Sequence, residues 1–172
     1  PRPGGRPGFV HVDVPVEVNE AHHWSLREAP DAVAVAMAYV AAYNAKLAGV
    51  RDYFAQYMFN TPVYTFQVND LAKMWAKIAL VESLGDERFR PYRQMRAGLT
   101  HFSTDLDVAK GQLAQSTTTI LALKPHILHV VGYSEASHAA EPEDVIASVK
   151  TVQGVFRNAG QGAADMLADP DL

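Results

Sequence analysis

The stretch ILHVVGYSEASHAAEPEDVIASVKTVQGVF, at residues 127–156, decides the fold class of this chain. Its first part, residues 127–133, is a short apolar run of the kind that fills a parallel sheet. A loop over residues 134–141 follows, and Pro142 then occupies a position that proline favours in the first turn of a helix. Two acidic residues come directly after this proline, and they suit a helix N-terminus. The stretch is therefore predicted to be a strand followed by a helix.

The predicted helix carries an apolar stripe. Its members are Val145, Val149, Val152 and Phe156, which recur at spacings of three and four residues. This spacing traces one face of a helix that ends near Gly160, as the core-facing stripe of a surface helix does.

The same alternation of strand and helix occurs three times before this stretch. The predicted strands span residues 10–18, 50–59 and 92–102, and the predicted helices span residues 31–47, from Asn69 or Asp70 to Gly85, and 107–123. The first strand alternates valine with other residues, which gives it one apolar and one polar face. Gly49 is placed where a left-handed cap would end the first helix.

Four successive strand-helix units predict an α/β fold with a parallel sheet and right-handed crossovers. Two architectures fit this order: an open doubly wound sheet and half of a (β/α)8 TIM barrel, of which we favour the half-barrel. The domain is predicted at residues 10–160, between a flexible lead-in at residues 1–9 and a flexible tail at residues 161–172. A half-barrel leaves the edges of its first and last strands open, so we expect it to form homo- or hetero-oligomers.

Composition limits the possible function. The 172 residues have a formal net charge of -4 and no Lys/Arg run, which argues against nucleic acid as a partner. The absence of cysteine excludes a disulfide scaffold and a thiolate-ligated metal, and it fits a reducing compartment, so we expect a cytoplasmic protein. No apolar stretch approaches the ~20 residues needed to span a bilayer, so no membrane is expected as a partner.

Polar side chains follow each predicted strand, where α/β proteins bind their ligands. Glu135 and His138 lie on one loop after the fourth strand, where a carboxylate and an imidazole suit proton exchange or ribose binding. An ordinary helix-entry loop would look similar. His101 stands near Asp105, which indicates either an acid/base pair or a helix cap. The catalytic candidates are therefore Glu135, His138 and His101.

Arg93 and Arg96 are three residues apart, so on a strand they point to opposite faces and one of them is available for a carboxylate or phosphate. We name Arg96 as the substrate-binding candidate, together with His22 and His23 after the first strand. The two adjacent histidines match no chelate spacing, and we predict no metal site. A helix face over residues 116–119 holds serine and threonine without a nearby histidine, which disfavours a Ser-His-Asp triad.

Four segments carry a resemblance to a known family. They are VNEAHHW at residues 18–24, MFNTP at 58–62, DLAKM at 70–74, and GYSEASHAA at 132–140 followed by PED at 142–144. In these segments the chain resembles the C-terminal barrel portion of the large subunit of glutamate mutase (methylaspartate mutase) and its relatives. The likeness covers about residues 10–159, mostly as the order and spacing of elements.

The resemblance implies half of a (β/α)8 barrel that closes over adenosylcobalamin, with the corrin held by a separate cobalamin-binding small subunit. It implies that Asn60, Tyr133 and Glu135 face the coenzyme. The lysine that family members carry in this last loop falls on or beside Gly132 here. The family's arginine claw belongs largely to the other half of the barrel, so the resemblance does not identify the small-molecule substrate.

Three functions are thus open from the sequence. The first is part of a cobalamin-dependent isomerase of the carbon-skeleton mutase type, acting on an amino acid or small acid. The second is a TIM-barrel lyase or hydrolase that uses histidine and glutamate as acid and base. The third is a non-catalytic binding or assembly module on the same scaffold.

Overall fold

The computed structural model describes residues 14–19, 29–59, 66–97, 102–162, 165–168 and 170. Strands and helices alternate along the chain. The elements are β1 (Val16–Val18), α1 (Asp31–Leu47), β2 (Asp52–Phe59), α2 (Gln67–Glu82), β3 (Arg90–Ala97), α3 (Leu106–Ala122), β4 (Ile127–His129) and α4 (Pro142–Gly160), followed by a short 3-10 turn (Met166–Ala168). None of the described helices is long and apolar enough to cross a membrane.

The four strands form one parallel sheet in the order β1-β2-β3-β4, which confirms the predicted α/β fold of successive strand-helix units. Each strand pairs with the next strand in the chain, and right-handed crossovers between such neighbours place every helix on the same face of the sheet. A doubly wound sheet reverses its strand order part-way and so has helices on both faces. The observed order is therefore that of four consecutive strands of a (β/α)8 barrel.

Alternation along the strands separates two faces. Tyr53, Tyr57 and Phe59 of β2 and Met95 of β3 point toward the helices and are almost completely buried in the main core. The small residues of α1, such as Ala42, let that helix approach the sheet closely. The other face of the sheet, which in a complete barrel would line the interior, is called the inner face below.

Three helix ends follow the predictions made from sequence. Gly49 has φ +86°, so it provides the left-handed turn after α1 that residues with a Cβ rarely adopt. The Asp105 side chain accepts hydrogen bonds from the amides of Asp107 and Val108, which makes it the N-cap of α3. In α4, Glu141 and Asp144 form a capping box around Pro142 in the first turn.

The start of α2 differs from prediction. The helix begins at Gln67 with Phe66 as its N-cap, so neither Asn69 nor Asp70 caps it. Asp70 instead lies inside the helix with no exposed surface, 3.4 Å from the Nζ atom of Lys73. The side chain therefore contributes to a buried charged contact, and Lys73 also lies 3.3 Å from Asp31 at the start of α1.

The prediction for the apolar stripe of α4 was wrong for three of its four members. Val152 is buried, but Val145, Val149 and Phe156 are exposed by 50%, 37% and 45%. The buried face of α4 is made instead by Asp144, Ser148 and Val152. Small and capping residues let α4 lie close to its neighbours, and this close packing turns the larger apolar side chains outward.

Strand lengths also differ from prediction. β1 and β4 have three residues each, and β3 begins at Arg90, two residues earlier than predicted. Residues 10–13 of the predicted first strand lie outside the described residues. In the predicted tail, Met166 and Leu167 pack against the main core, and the Gln67 amide lies 3.0 Å from the Met166 sulfur.

Candidate functional site

The inner face of the sheet has two halves of different character. At its amino-terminal half, polar groups satisfy one another: Arg90 donates hydrogen bonds of 2.8 and 2.9 Å to both oxygens of Asp52. The Tyr92 hydroxyl donates to the same carboxylate at 3.2 Å, and its ring stacks on Phe54. This half is a closed structural network, as expected for the end of a barrel that serves stability.

The carboxyl-terminal half of the inner face carries a buried arginine. Strand register aligns Arg96 of β3 with Met58 of β2 on one side and His129 of β4 on the other. Only 6% of the Arg96 surface is exposed, and its Nε atom has no hydrogen-bond partner among the described residues. A buried donor without a partner is costly, so this arrangement is typical of a site that a ligand completes.

Arg93 shows what a structurally paired arginine looks like on the same strand. Its guanidinium donates to both oxygens of Glu82 at 2.6 and 3.0 Å, and to the Leu123 carbonyl at 2.8 Å. These partners belong to the ends of α2 and α3, so Arg93 points toward the helices and Arg96 to the inner face. The prediction that the two arginines face opposite sides is confirmed.

Charges around Arg96 are arranged on both sides of it. Burial lowers the pKa of the Arg96 guanidinium below its ordinary value, while the carboxylates of Glu135 and Glu17 act in the opposite direction. No described carboxylate lies within ion-pair distance of Arg96. An arginine stays protonated at any working pH, so the site keeps a full positive charge that the two acids moderate without neutralising.

His129 is the second chemical group of the site. Partial removal from water lowers the pKa of its imidazole below the ordinary value of 6.5, and the positive charge of Arg96 adds to this effect. Glu17 acts in the opposite direction but is the smallest of the three contributions. The imidazole is therefore neutral at pH 7, and a neutral imidazole can accept a proton.

Glu17 and Gln56 complete what we call the inner-face cluster, defined as Glu17, Gln56, Arg96 and His129. The Gln56 amide donates a hydrogen bond of 2.9 Å to the Glu17 carboxylate, which positions this acid from the neighbouring strand. Gln56 is 2% exposed, and its carbonyl oxygen has no partner among the described residues. The cluster thus offers a ligand a free donor, a free acceptor and a proton acceptor.

Glu135 lies in the turn after β4 and is exposed. Its charge reaches Arg96, which places this predicted catalytic residue beside the inner-face cluster. Among the predicted site residues, the structure therefore associates Glu135 with Arg96.

His138 and Tyr133 belong to a different network. The Asp144 carboxylate lies 2.9 Å from His138 Nε2 and accepts a hydrogen bond of 2.9 Å from the Tyr133 hydroxyl. The Glu141 amide donates to the same carboxylate at 3.0 Å, and these hydrogen bonds lower the pKa of Asp144 below its usual range. Tyr133 is buried in a second core between α3 and α4, so this network anchors the loop to the start of α4.

Of the three residues that the resemblance assigns to the coenzyme, Tyr133 is buried and its hydroxyl already donates a hydrogen bond to Asp144. Glu135 is exposed. Asn60 lies outside the described residues. His101, His22 and His23 lie outside them as well. No group of three or more potential metal ligands occurs among the residues that the structure describes.

A cleft of about 670 Å³ lies at the opposite end of the sheet, before β2 and β3. Its lining includes Lys46, Arg51, Asp86 and Arg88. Lys46 is already engaged there, because its Nζ atom lies 2.7 Å from Asp86 and 2.6 Å from the Leu84 carbonyl. This end of the fold lacks a buried cation of the Arg96 kind among the lining residues.

Comparison with known proteins gives no family assignment. Nothing matches this chain among family models, curated proteins or solved structures. The resemblance to the glutamate mutase large subunit, and with it the cobalamin-binding partner, stays a prediction.

His129, Glu17 and Gln56 were not identified from the sequence as site residues. His129 stood within an apolar run and was interpreted as part of a buried strand. The signal in the sequence was the position of His129 within the predicted fourth strand, because a residue in a strand faces either the helices or the inner face of the sheet. Register decides between them, and register between strands was not predicted.

Proposed function

We propose that this chain binds a small carboxylate on the inner face of its sheet and performs acid/base chemistry on it. The observation that carries the proposal is Arg96, which is 94% buried with a free Nε donor at the carboxyl edge of a parallel sheet. Ligands of barrel and open-sheet enzymes bind at this edge. Arginine suits a carboxylate because its planar guanidinium matches both oxygens.

Each member of the inner-face cluster has a role in this proposal. Arg96 binds and orients the carboxylate, and Gln56 offers its free carbonyl to a donor on the ligand. His129 accepts a proton from the bound molecule, since its lowered pKa keeps the imidazole neutral near pH 7. Glu17 then stabilises the imidazolium that forms, because opposite charge favours the protonated ring.

These roles match the acid/base lyase or hydrolase, which is the second of the three functions predicted from the sequence, and not the cobalamin-dependent mutase. A carbon-skeleton mutase acting on a small acid would also need a carboxylate site, so Arg96 is compatible with both. The two differ in the corrinoid. Adenosylcobalamin would supply radical chemistry, and Tyr133, which the resemblance places against that coenzyme, already donates its hydroxyl hydrogen bond to Asp144.

A binding experiment tests the proposal. The chain would be titrated with acetate, succinate and glutamate, with chloride at equal ionic strength as the control, and binding would be measured by calorimetry. We expect saturable binding of at least one carboxylate to the wild type and to Arg93→Lys, and its loss in Arg96→Met. Equal affinity of Arg96→Met and wild type for every carboxylate would refute the proposal.

A parallel titration addresses the coenzyme. The chain would be mixed with adenosylcobalamin, with and without a cobalamin-binding subunit, and corrin absorbance would be followed with the mass of the complex. Corrinoid that is retained only in the presence of both proteins, and lost in Glu135→Ala, would support the cobalamin-dependent mutase instead. Carboxylate binding without any corrinoid-dependent association would favour the acid/base function.

A further inference from the structure

Two buried polar atoms of opposite hydrogen-bonding character lie on the inner face of the sheet. The Arg96 Nε atom is a donor and the Gln56 Oε1 atom is an acceptor, and neither has a hydrogen-bond partner among the residues that the structure describes. The two residues are exposed by only 6% and 2%. Buried polar groups are almost always paired, so an open donor and an open acceptor on one face indicate a ligand that pairs with both.

Strand register brings these two groups within reach of one small molecule. Gln56 of β2 aligns with Gln94 of β3, and Arg96 lies two residues further along β3 on the same face. A step of two residues along a strand and one strand across separates the Cα atoms by about 8 Å. Both side chains are long, so a molecule of a few carbon atoms can contact both of them.

Glu17 fixes which end of the Gln56 amide is left for a ligand. The two ends of an amide group have nearly the same shape, but the nitrogen donates hydrogen bonds and the oxygen accepts them. The Gln56 Nε2 atom donates to Glu17 Oε1 at 2.9 Å, and an ionised carboxylate can only accept. Turning the amide over would place its oxygen against an oxygen of the carboxylate. Glu17 therefore keeps the amide nitrogen on its own side and leaves the carbonyl oxygen for the ligand.

We propose that Gln56 is the specificity-determining residue of the inner-face cluster, and that it selects carboxylates that carry a hydrogen-bond donor close to the carboxylate group. Arg96 binds the carboxylate, and the Gln56 carbonyl accepts from a hydroxyl or ammonium group of the same molecule. Glu17 is a positioning residue, because it acts on the ligand through Gln56. The inference rests on the proposed carboxylate site and adds the class of carboxylate that this site takes.

The expected selectivity has a defined sign. A ligand without a donor leaves the Gln56 carbonyl buried and unpaired, and a ligand with an acceptor in the same place sets two oxygen atoms against each other. Sites built to hydrogen-bond a polar group of a ligand strongly reject analogues that lack it. We therefore expect binding to weaken from lactate to propionate by about tenfold or more, and to weaken further from propionate to pyruvate.

These three ligands form a matched set. They have the same chain length and the same charge, and they present a donor, no polar group and an acceptor beside the carboxylate. Their dissociation constants would be measured on the full chain from the shift of the Arg96 Nε–H signal in nuclear magnetic resonance spectra. Alanine would test an ammonium group in place of the hydroxyl, and 3-hydroxypropionate would test a donor one carbon further away.

Two variants separate the roles of Gln56 and Glu17. Gln56→Met removes the carbonyl, so the constants for the three ligands should fall within about twofold of one another while binding through Arg96 continues. Glu17→Gln keeps the shape but can donate as well as accept, so the Gln56 amide can turn over, and the preference for lactate over pyruvate should fall by about tenfold. The lost charge affects all three ligands alike and cancels in this ratio. Tyr92→Phe is the matched control, since the Tyr92 hydroxyl donates to Asp52 in the closed half of the inner face, and it should leave the ratio unchanged.

The possible results distinguish the selectivity from the site itself. Tighter binding of lactate, alanine or 3-hydroxypropionate than of propionate, abolished in Gln56→Met, would support the proposal. Equal constants for all ligands on the wild type would overturn it, and this comparison needs no variant. A preference that Gln56→Met or Glu17→Gln leaves intact would also overturn it, with circular dichroism verifying that each variant is folded. In both cases Arg96 would still bind carboxylates. An Arg96 signal that responds to no ligand would overturn the carboxylate site as well.

Discussion

Replacing Arg96 by methionine should stabilise the free protein while removing its carboxylate site. Methionine keeps a similar length and fills the space of the arginine stem, but it removes a charge that is 94% buried and a donor that has no described partner. An unsatisfied buried donor costs about 1–3 kcal/mol. Because the charges of Glu17 and Glu135 already moderate this cost, we expect a gain of about 1–2 kcal/mol in the free energy of unfolding.

Urea denaturation measures this change, and Arg93→Met is the matched control on the same strand. Removing Arg93 breaks its hydrogen bonds to Glu82 and to the Leu123 carbonyl, so that variant should lose about 2–4 kcal/mol. Equal slopes of the unfolding curves would show that the unfolded states are comparable. A loss of stability in Arg96→Met as large as that in Arg93→Met would refute the reasoning, because Arg96 would then be a structural residue.

Ligand linkage completes this experiment. A carboxylate present at one hundred times its Kd should stabilise the wild type by about 2.7 kcal/mol and should leave Arg96→Met unchanged. The two variants together therefore separate an arginine that holds the fold from one that awaits a ligand.

Four further predictions concern other positions. Carboxylate binding to the wild type should strengthen as the pH falls below 6.5. The pKa of His129 is lowered, so its ring is neutral at pH 7, and protonation at lower pH adds a positive charge beside Arg96. His129→Gln should remove this pH dependence in calorimetric titrations. Gly49→Ala should lower the unfolding free energy by about 1 kcal/mol in urea, since φ is +86° there. Asp105→Ala should cost about 0.5–2 kcal/mol through loss of the α3 cap, whereas Asp105→Asn should keep most of that stability. The pKa of Asp144 is lower in the folded protein, so its carboxylate stabilises the fold at pH values above its ordinary pKa. This stabilisation is lost as the pH falls through the pKa of the folded state. Asp144→Asn should therefore flatten the acid side of a plot of Tm against pH.

The order of elements was predictable because it rests on local patterns. The alternating valines around Val16, the glycine after α1 and the proline at the start of α4 each report a local backbone preference, and each preference agrees with the fold. Asp105 was expected to be either half of an acid/base pair or a helix cap, and its side chain caps α3. These features need no knowledge of tertiary contacts.

The α4 stripe shows where local patterns end. An apolar stripe predicts that one face of a helix is buried, but the sequence alone does not tell whether that face packs on the sheet or is exposed to solvent. Ser148 and Val152 face the core, and Val149 and Phe156 face outward.

The site was predictable in part. The three-residue separation of Arg93 and Arg96 predicts that they point to opposite faces of a strand, but it does not tell which of the two lies on the inner face. His129 could not be named, because its role depends on the pairing of β3 with β4 and on the electrostatic influence of Arg96. His138 was prominent in sequence, yet the structure shows its imidazole bonded to Asp144 at the start of α4.

Nuclear magnetic resonance of the arginine side chains tests the central claim most directly, because each Nε–H group gives its own signal. The Arg96 signal would be assigned by its loss in Arg96→Lys, and the protein would be titrated with succinate. The account predicts a saturable shift of the Arg96 signal, with the Arg93 signal unchanged because its Nε already donates to Glu82. An Arg96 signal that stays unchanged while succinate binds elsewhere, or that never responds, would contradict the account.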